Sequence, residues 1–362
     1  MKVKQTPADF VVEEVLPLKI LESGAFTIYR IEKTDMETTV ALGHMANRLG
    51  IAQSDIGYAG IKDKHARTVQ YASVPSTLKQ ISMSEPRLRI SLIGYSDAAI
   101  RFGMHTANKF TITVRQLLRG RVENLRKRTE IAFSNPIPNY YDSQRFGSFI
   151  NGESIGLFVQ RGEFFEALRV YLTAERKSDL AHIKANKREI AKVWPKLAEA
   201  AALVTDRVFA DIVAAYVKTN DWKAAYERIP AFEREMQEQA VASFIWNESL
   251  KTLLKEVKTE RTFSVEYAAG SLLFGLPESP LPQNLGERKD IVAAVAKLHD
   301  IIVPERFDWE RPLLFSVQDG KIDNITSDDL AKRPDQMQKV TFIFKLQPGS
   351  YATIVLKAIL RC

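Results

Sequence analysis

Apolar positions change their period twice along this chain. Ala25–Lys33 (AFTIYRIEK) is rich in β-branched and aromatic residues over strand length, and it predicts a strand. From Thr38 to Leu49 the period becomes helical. Val40, Ala41, His44, Met45, Arg48 and Leu49 form one stripe, and Gly50 is placed to end the helix. Short strands are predicted at Ile56–Ile61, Gln70–Val74, Arg87–Gly94 and Lys109–Arg115, followed by a basic helix over Val122–Phe133. Beyond residue 150 helical spacing dominates, at Glu163–Thr173, Lys187–Leu203, Arg207–Tyr216, Met236–Val257 and Ile291–Leu298. Pro277, Pro280 and Pro282 punctuate a loop before the last of these. Strand signals return at Val340–Leu346 and Ala352–Leu360, with the turn Gln347-Pro348-Gly349-Ser350 between them.

Strands therefore sit at both ends with helices between, which fits three consecutive domains or one sheet domain split by a helical insertion. The length of 362 residues calls for more than one compact module. Charge favours the split. Residues 1–150 hold 21 basic against 14 acidic side chains, residues 151–308 hold 22 against 24, and residues 309–362 hold 8 against 6. The excess of +7 thus falls on the two ends, and a localised basic excess suits a polyanionic partner such as nucleic acid as well as it suits simple solubility. No stretch approaches the length and apolarity of a transmembrane helix, and no apolar signal core follows Met1, so a soluble, cytoplasmic protein is expected. Cys362, the single cysteine, excludes an intramolecular disulfide and a cysteine-based zinc cluster, and a chain terminus seldom organises a base for a thiol.

Two segments carry candidate chemistry. In Tyr58–Gln70, Asp63 is flanked by Lys62 and Lys64, with His65 and Arg67 nearby. Neighbouring cations favour the ionised form of a carboxylate, which suits a nucleophile or general base, and successive basic residues suit phosphate. A solvated hairpin turn of mixed charge explains the same residues. In Asn135–Ser148 three aromatics are interleaved with amides and Arg145 behind two stiffening prolines. Such a set can stack on unpaired bases, read their edges and hold phosphate, and it can equally pack as an aromatic loop on its own domain. His44 reads as a core or boundary residue, while His105, His182 and His299 lack partners at metal-ligand spacing. Gly60, Gly103, Gly147 and Gly349 read as isolated turn glycines, and Phe244 with Trp246 reads as core.

Four motifs in order give these residues a common setting. Gly60-Ile61-Lys62-Asp63-Lys64-His65-Ala66-Arg67-Thr68-Val69-Gln70 resembles the G-x-K-D-(K/R)-x-A-x-T-x-Q signature of the TruD family of tRNA pseudouridine synthases. Lys4–Glu14 resembles that family's opening K-x-x-P-x-D-F-x-V-x-E, Asn139–Gly147 its N-Y-F-G-x-Q-R-F-G, and Leu346–Thr353 its L-P-x-G-S-(F/Y)-A-T. The resemblance implies a mixed α/β (α+β) pseudouridine synthase domain at residues 1–151 and 309–362, interrupted by a largely helical inserted TRUD domain at 152–308. It implies tRNA as partner, with other RNAs conceivable, and uridine 13 as target; no cofactor, no metal and no membrane are expected, and the protein is expected to be a monomer. It further implies Asp63 as the attacking carboxylate, with Lys62 and Lys4 orienting it or touching phosphate. Asn139 would bond the flipped uracil or ribose, Phe10 and Tyr351 would wall the pocket, and Lys64, Tyr141, Arg145 and Phe146 would contact RNA. One departure stands out. Tyr141-Asp142 replaces the usual Phe-Gly, giving a hydroxyl that could serve the C5 proton and removing glycine's access to positive φ. Two other functions use the same residues: an RNA chaperone without essential catalysis, and a glycosidase that releases free base.

Overall fold

The computed structural model describes residues 2–361, and the side chain of Arg121 is not described. Cys362 lies outside the described residues. The chain divides into two compact units. The first runs to Ile137 and resumes over Phe315–Leu360, and the second is Pro138–Leu314 with Arg361. The break expected after residue 151 therefore falls inside the second unit, which holds the whole Asn139–Gly147 motif.

The first unit is built on one mixed sheet. Its strands lie in the order Gln318–Ser327, Met337–Leu346, Ala107–Leu118, Phe10–Val15, Arg67–Pro75, Phe26–Thr34, Leu88–Ser96, Met83–Glu85. Neighbours are antiparallel except at the centre, where Phe10–Val15 and Arg67–Pro75 run parallel in the register Val11↔Arg67, Val12↔Thr68, Glu13↔Val69. The two sequence ends of the unit join by direct pairing, Phe344↔Phe110 among others. A row of rings, Phe10, Phe110, Phe344 and Phe133, crosses three strands to the helix Val122–Ser134.

The helix Thr38–Leu49 has the expected bounds, and Gly50 ends it at φ 73 with its N–H bonded to Ala46 O at 2.8 Å. Its buried face is rotated from the expected one. Ala41, Leu42, Met45, Ala46 and Leu49 pack on Tyr29 and Ile31, whereas Val40, His44 and Arg48 face solvent. The row Ala41, Met45 and Leu49 is common to both readings, and apolar Leu42 and Ala46, not His44 and Arg48, complete the buried face. A second difference concerns Ala352–Leu360, which is a helix packed near Val122–Ser134. A short, wholly apolar run reads alike as buried strand or buried helix, and its flanking turn does not separate the two. Predicted Ile56–Ile61 shrinks to the strand Gly57–Tyr58, leaving residues 59–66 as loop.

The second unit is mainly helical. The apolar core gathers Ile155, Leu168, Leu172, Ile190, Phe209, Ile212 and Val213, among others. The helix expected over Lys187–Leu203 is two, Ala181–Val193 and Leu197–Ala200, parted at Trp194-Pro195 because the residue before proline disfavours helical backbone. The long helix Ala231–Glu256 buries Phe244 and Trp246, and a hairpin, Thr259–Tyr267 with Gly270–Pro277, follows it. No helix among the described residues is long and apolar enough to cross a membrane.

Candidate active site

The central parallel pair of strands sets the geometry of the first cluster. Parallel strands begin at the same edge, so the segments leading into Phe10 and into Arg67 emerge side by side. This brings Lys4 to Asp63 across 59 residues of sequence: Lys4 Nζ lies 2.9 Å from Asp63 Oδ2. The Asp63 side chain is 38% exposed, so an ion-paired carboxylate faces solvent from a loop. Lys4 has φ 57, a left-handed conformation uncommon for a residue with a side chain, and its ammonium sits 3.8 Å above the Phe10 ring. Phe10 itself is buried.

The Lys4 segment is anchored behind. Asp9 accepts from Thr6 N–H at 2.8 Å and from Arg115 Nε at 2.8 Å. Arg115 Nη1 also donates to Asp328 at 2.9 Å and to Asp329 at 2.8 Å, and Asp328 takes the Gln116 N–H at 2.9 Å. Asp9, Arg115 and Asp328 are all buried, a charged network that ties three distant parts of the unit together.

The Asp63 loop is held from below. Lys33, fully buried, donates to Asp63 O at 2.8 Å, Met36 O at 2.8 Å and Lys62 O at 3.4 Å. Thr38 Oγ1 accepts the Lys62 N–H at 3.0 Å and contacts Gln70 Oε1 at 3.0 Å. The Lys62 side chain turns inward to Glu14 Oε1 at 2.7 Å, with exposures of 5% and 0% for the two side chains. Its ammonium thus meets neither of the expected roles, because it is bonded to a buried carboxylate instead of Asp63 and has no exposed amine to offer phosphate. Gly60 is a site of close approach: a Cβ there would lie 3.3 Å from His105 Cε1 and 3.4 Å from Lys62 Nζ. Burial first, then the Lys62 charge, lowers the His105 pKa, favouring its neutral form. Lys64, His65 and Arg67 lie outward in exposed pairs with Glu37, Asp35 and Glu32. Such pairs are weak and exchange readily for other anions. Tyr351, half-buried, immediately precedes the Ala352–Leu360 helix.

Removing the Lys62 charge tests the inward pair. Lys62→Met strands Glu14 in the interior and should cost about 3 kcal/mol of stability, read as a lower urea midpoint. The double change with Glu14→Gln should recover most of it. A single variant as stable as the parent would contradict the pairing.

The second cluster lies in the other unit. Asn139 is buried, its Oδ1 accepting from Arg311 Nη2 at 2.8 Å and its Nδ2 donating to Pro312 O at 3.0 Å. Its carbonyl accepts from Arg311 Nε at 3.1 Å and Trp246 Nε1 at 3.3 Å. Tyr141 exchanges two backbone bonds with the Asn247 amide, both 2.9 Å, and its hydroxyl donates to Asp308 at 3.3 Å. Arg311 lies 4.0 Å from the Tyr141 ring centroid. A cavity of about 390 Å³ opens here, lined by Tyr141, Arg145, Trp246, Arg306 and Asp308, among others. Phe146, expected to contact RNA, is instead core: it is buried and packs edge-on against Phe149 and Tyr267. Asp142 has φ −105, an extended conformation open to any residue, and caps the turn Ser143–Arg145 by accepting the Ser143 N–H at 2.7 Å. Losing glycine therefore costs this loop nothing in backbone strain. Among the described residues no group of three His, Cys, Asp or Glu side chains gathers as for a metal ion.

The family model of tRNA pseudouridine synthase D (TruD) matches residues 1–269. The chain belongs to the TruD family of tRNA pseudouridine synthases. It is 30% identical to "Probable tRNA pseudouridine synthase D 1" of Methanococcus maripaludis, covering 99% of each chain. It is 31% identical to "Probable tRNA pseudouridine synthase D 2" of Methanocaldococcus jannaschii, covering 99% of this chain and 91% of that one. A solved structure of a tRNA pseudouridine synthase D candidate from Methanosarcina mazei superposes with a TM-score of 0.72 at 20% identity, covering 100% of this chain and 93% of the other, and so shares the fold.

Lys33 and Arg115 escaped the reading of the sequence, and Glu14 entered it only as a motif residue without a role, yet two of the three carried a signal. Phe10, Val12 and Glu14 alternate inward along one strand, as do Tyr29, Ile31 and Lys33 along another. A charge in phase with the buried face of a strand marks a paired or functional interior group.

Proposed function

We propose that this TruD-family enzyme isomerises uridine 13 of tRNA to pseudouridine, with Asp63 as the reacting carboxylate. The observation that carries this reading is the Asp63 side chain: partly exposed, held by Lys4 at 2.9 Å, on a loop whose backbone is clamped by Lys33. The chemistry needs no oxidant or reductant. The N1–C1′ bond breaks, C5–C1′ forms, the proton on C5 leaves and N1 gains one. A fixed carboxylate serves attack at C1′, addition at C6 or proton abstraction toward a glycal, and Lys4 would balance its charge in each. Lys64 offers an exposed amine for phosphate, Phe10 lies under the Lys4 ammonium, and Tyr351 is the residue we assign to the pocket wall. In the second unit, Arg145 and Tyr141 bring a cation and an aromatic ring to one cavity, a combination suited to RNA. Asn139 keeps their loop in place and has an amide hydrogen beyond its bond to Pro312. We assign the protein to the cytoplasm, acting as a monomer.

Pseudouridine mapping across total RNA, with and without the gene, tests target and activity together. Loss confined to position 13 of tRNAs is expected, and a tRNA with cytidine at 13 should go unmodified by the pure protein. Loss at another position would discard the target, and no loss anywhere would discard the activity.

A further inference from the structure

Lys33 is the cation that this chain places in its interior beside Asp63 without a direct counter-charge. Among the described residues no carboxylate lies within ion-pair distance of its ammonium. Instead three carbonyl oxygens converge on it, matching the three donors of an ammonium group. Two of them, Lys62 O and Asp63 O, belong to the peptide groups on either side of the Asp63 Cα. The third, Met36 O, belongs to the turn between the strand Phe26–Thr34 and the helix Thr38–Leu49. The contrast with Lys62 is direct. Lys62 adjoins Asp63 in sequence but is neutralised by Glu14, whereas Lys33, 30 residues away, is the one wired to the Asp63 backbone.

We propose that Lys33 is a positioning residue for the proposed Asp63 chemistry: by pinning both peptide groups that flank Asp63 it fixes the direction of the carboxylate, and its buried charge supports the negative charge there. Holding carbonyls alone does not require an ammonium, and a buried cation is costly to keep. A charge retained at this spot favours an electrostatic task at the loop it holds. The groups facing it are Asp63 and Lys62 on that loop and Glu37 before the helix. Burial, opposed by the charge of Asp63, brings the Lys33 pKa from 10.5 down to about 8.

That value gives the inference its own signature. As pH rises above about 8, Lys33 loses its charge and the clamp weakens, so kcat should fall. The unfolded chain holds the same proton up to 10.5, so between about 8 and 10.5 this group's linkage favours the fold as pH rises. A fall in kcat over that window without a lower melting temperature separates positioning from unfolding.

The experiment measures kcat and KM by tritium release from tRNA labelled at uridine C5, between about pH 6.5 and 9.5, for the parent enzyme, Lys33→Met, Lys33→Arg and Asp63→Asn. Lys33→Met should lose about 10- to 100-fold in kcat, as expected for a misaligned reacting group, with KM for tRNA little changed and no alkaline limb. Lys33→Arg, charged throughout, should recover part of the rate and also lack the limb. A Lys33→Met enzyme with the parent kcat, or an alkaline limb that persists in the variants, would overturn the inference. Where Lys33→Met fails to fold, the arginine variant decides: a parent-like limb in it overturns the inference. The Asp63→Asn arm separates the two readings. An active Asp63→Asn enzyme sinks the role of Asp63 itself, whereas an inactive one beside a fully active Lys33→Met enzyme sinks the role of Lys33 alone.

Discussion

Asp63→Asn should abolish isomerisation, by at least about 10³-fold or about 4 kcal/mol in the barrier, with folding and tRNA binding preserved. The amide has the shape of the carboxylate, and its oxygen can still accept from Lys4, which lies 2.9 Å from Asp63 Oδ2. What disappears is the negative oxygen that bonds to carbon or takes a proton. The side chain is partly exposed on the loop 59–66, so its replacement leaves no buried partner stranded. Asp63 also contributes its carbonyl to Lys33, and a change of side chain spares that bond. Tritium release from 5-tritiated tRNA reads the chemical step, and filter retention of the same tRNA reads binding. Release within tenfold of the parent rate would remove Asp63 from the mechanism. Lost activity together with lost binding would make it a binding residue.

Arg115→Met should be the most destabilising single change in the first unit, by about 3–5 kcal/mol. Arg115 is the buried cation shared by Asp9 and Asp328, and taking it away leaves two carboxylates in the interior. The loss should show as a lower urea midpoint, partly restored by adding Asp328→Asn. Acid supplies a second check. Burial pushes the Asp328 pKa up, but the N–H groups of Gln116 and Leu330 and the Arg115 charge outweigh it and hold it below 3.8. The stability from this group is therefore present above 3.8 and is lost as pH falls through the lower folded value. The gap between parent and variant should narrow as pH falls and the carboxylates stranded in the variant take up protons. An Arg115→Met protein as stable as the parent at pH 7 would show that the network contributes little. Activity should fall too, since Asp9 anchors the segment that carries Lys4.

How much of this could be read in advance differs from residue to residue. The loop around Asp63 was legible because its residue types are unusual together, and the four motifs placed it in a family. The bounds of the Thr38–Leu49 helix were legible from period and from Gly50, but its buried face was read one row off, because the shared row Ala41, Met45 and Leu49 was extended to Val40, His44 and Arg48 when Leu42 and Ala46 complete it. Ala352–Leu360 was misread as a strand because a run without polar positions has no period to measure. The family resemblance implied RNA contact for Phe146, and for Lys62 either phosphate contact or a part in orienting Asp63. Each was claimed instead by an interior partner, Tyr267 for one and Glu14 for the other.

The amino-acid sequence by itself determined the family, the mixed architecture and the identity of the candidate carboxylate, because these rest on local period and on residue types at fixed spacing. Only the tertiary structure decided which cations lie beside that carboxylate and its loop. One parallel strand pair sets Lys4 beside Asp63 from 59 positions away, and a third strand brings Lys33 beneath the loop. Strand order and register, not distance along the chain, govern which charges meet, and a buried charge must take whatever partners that register provides.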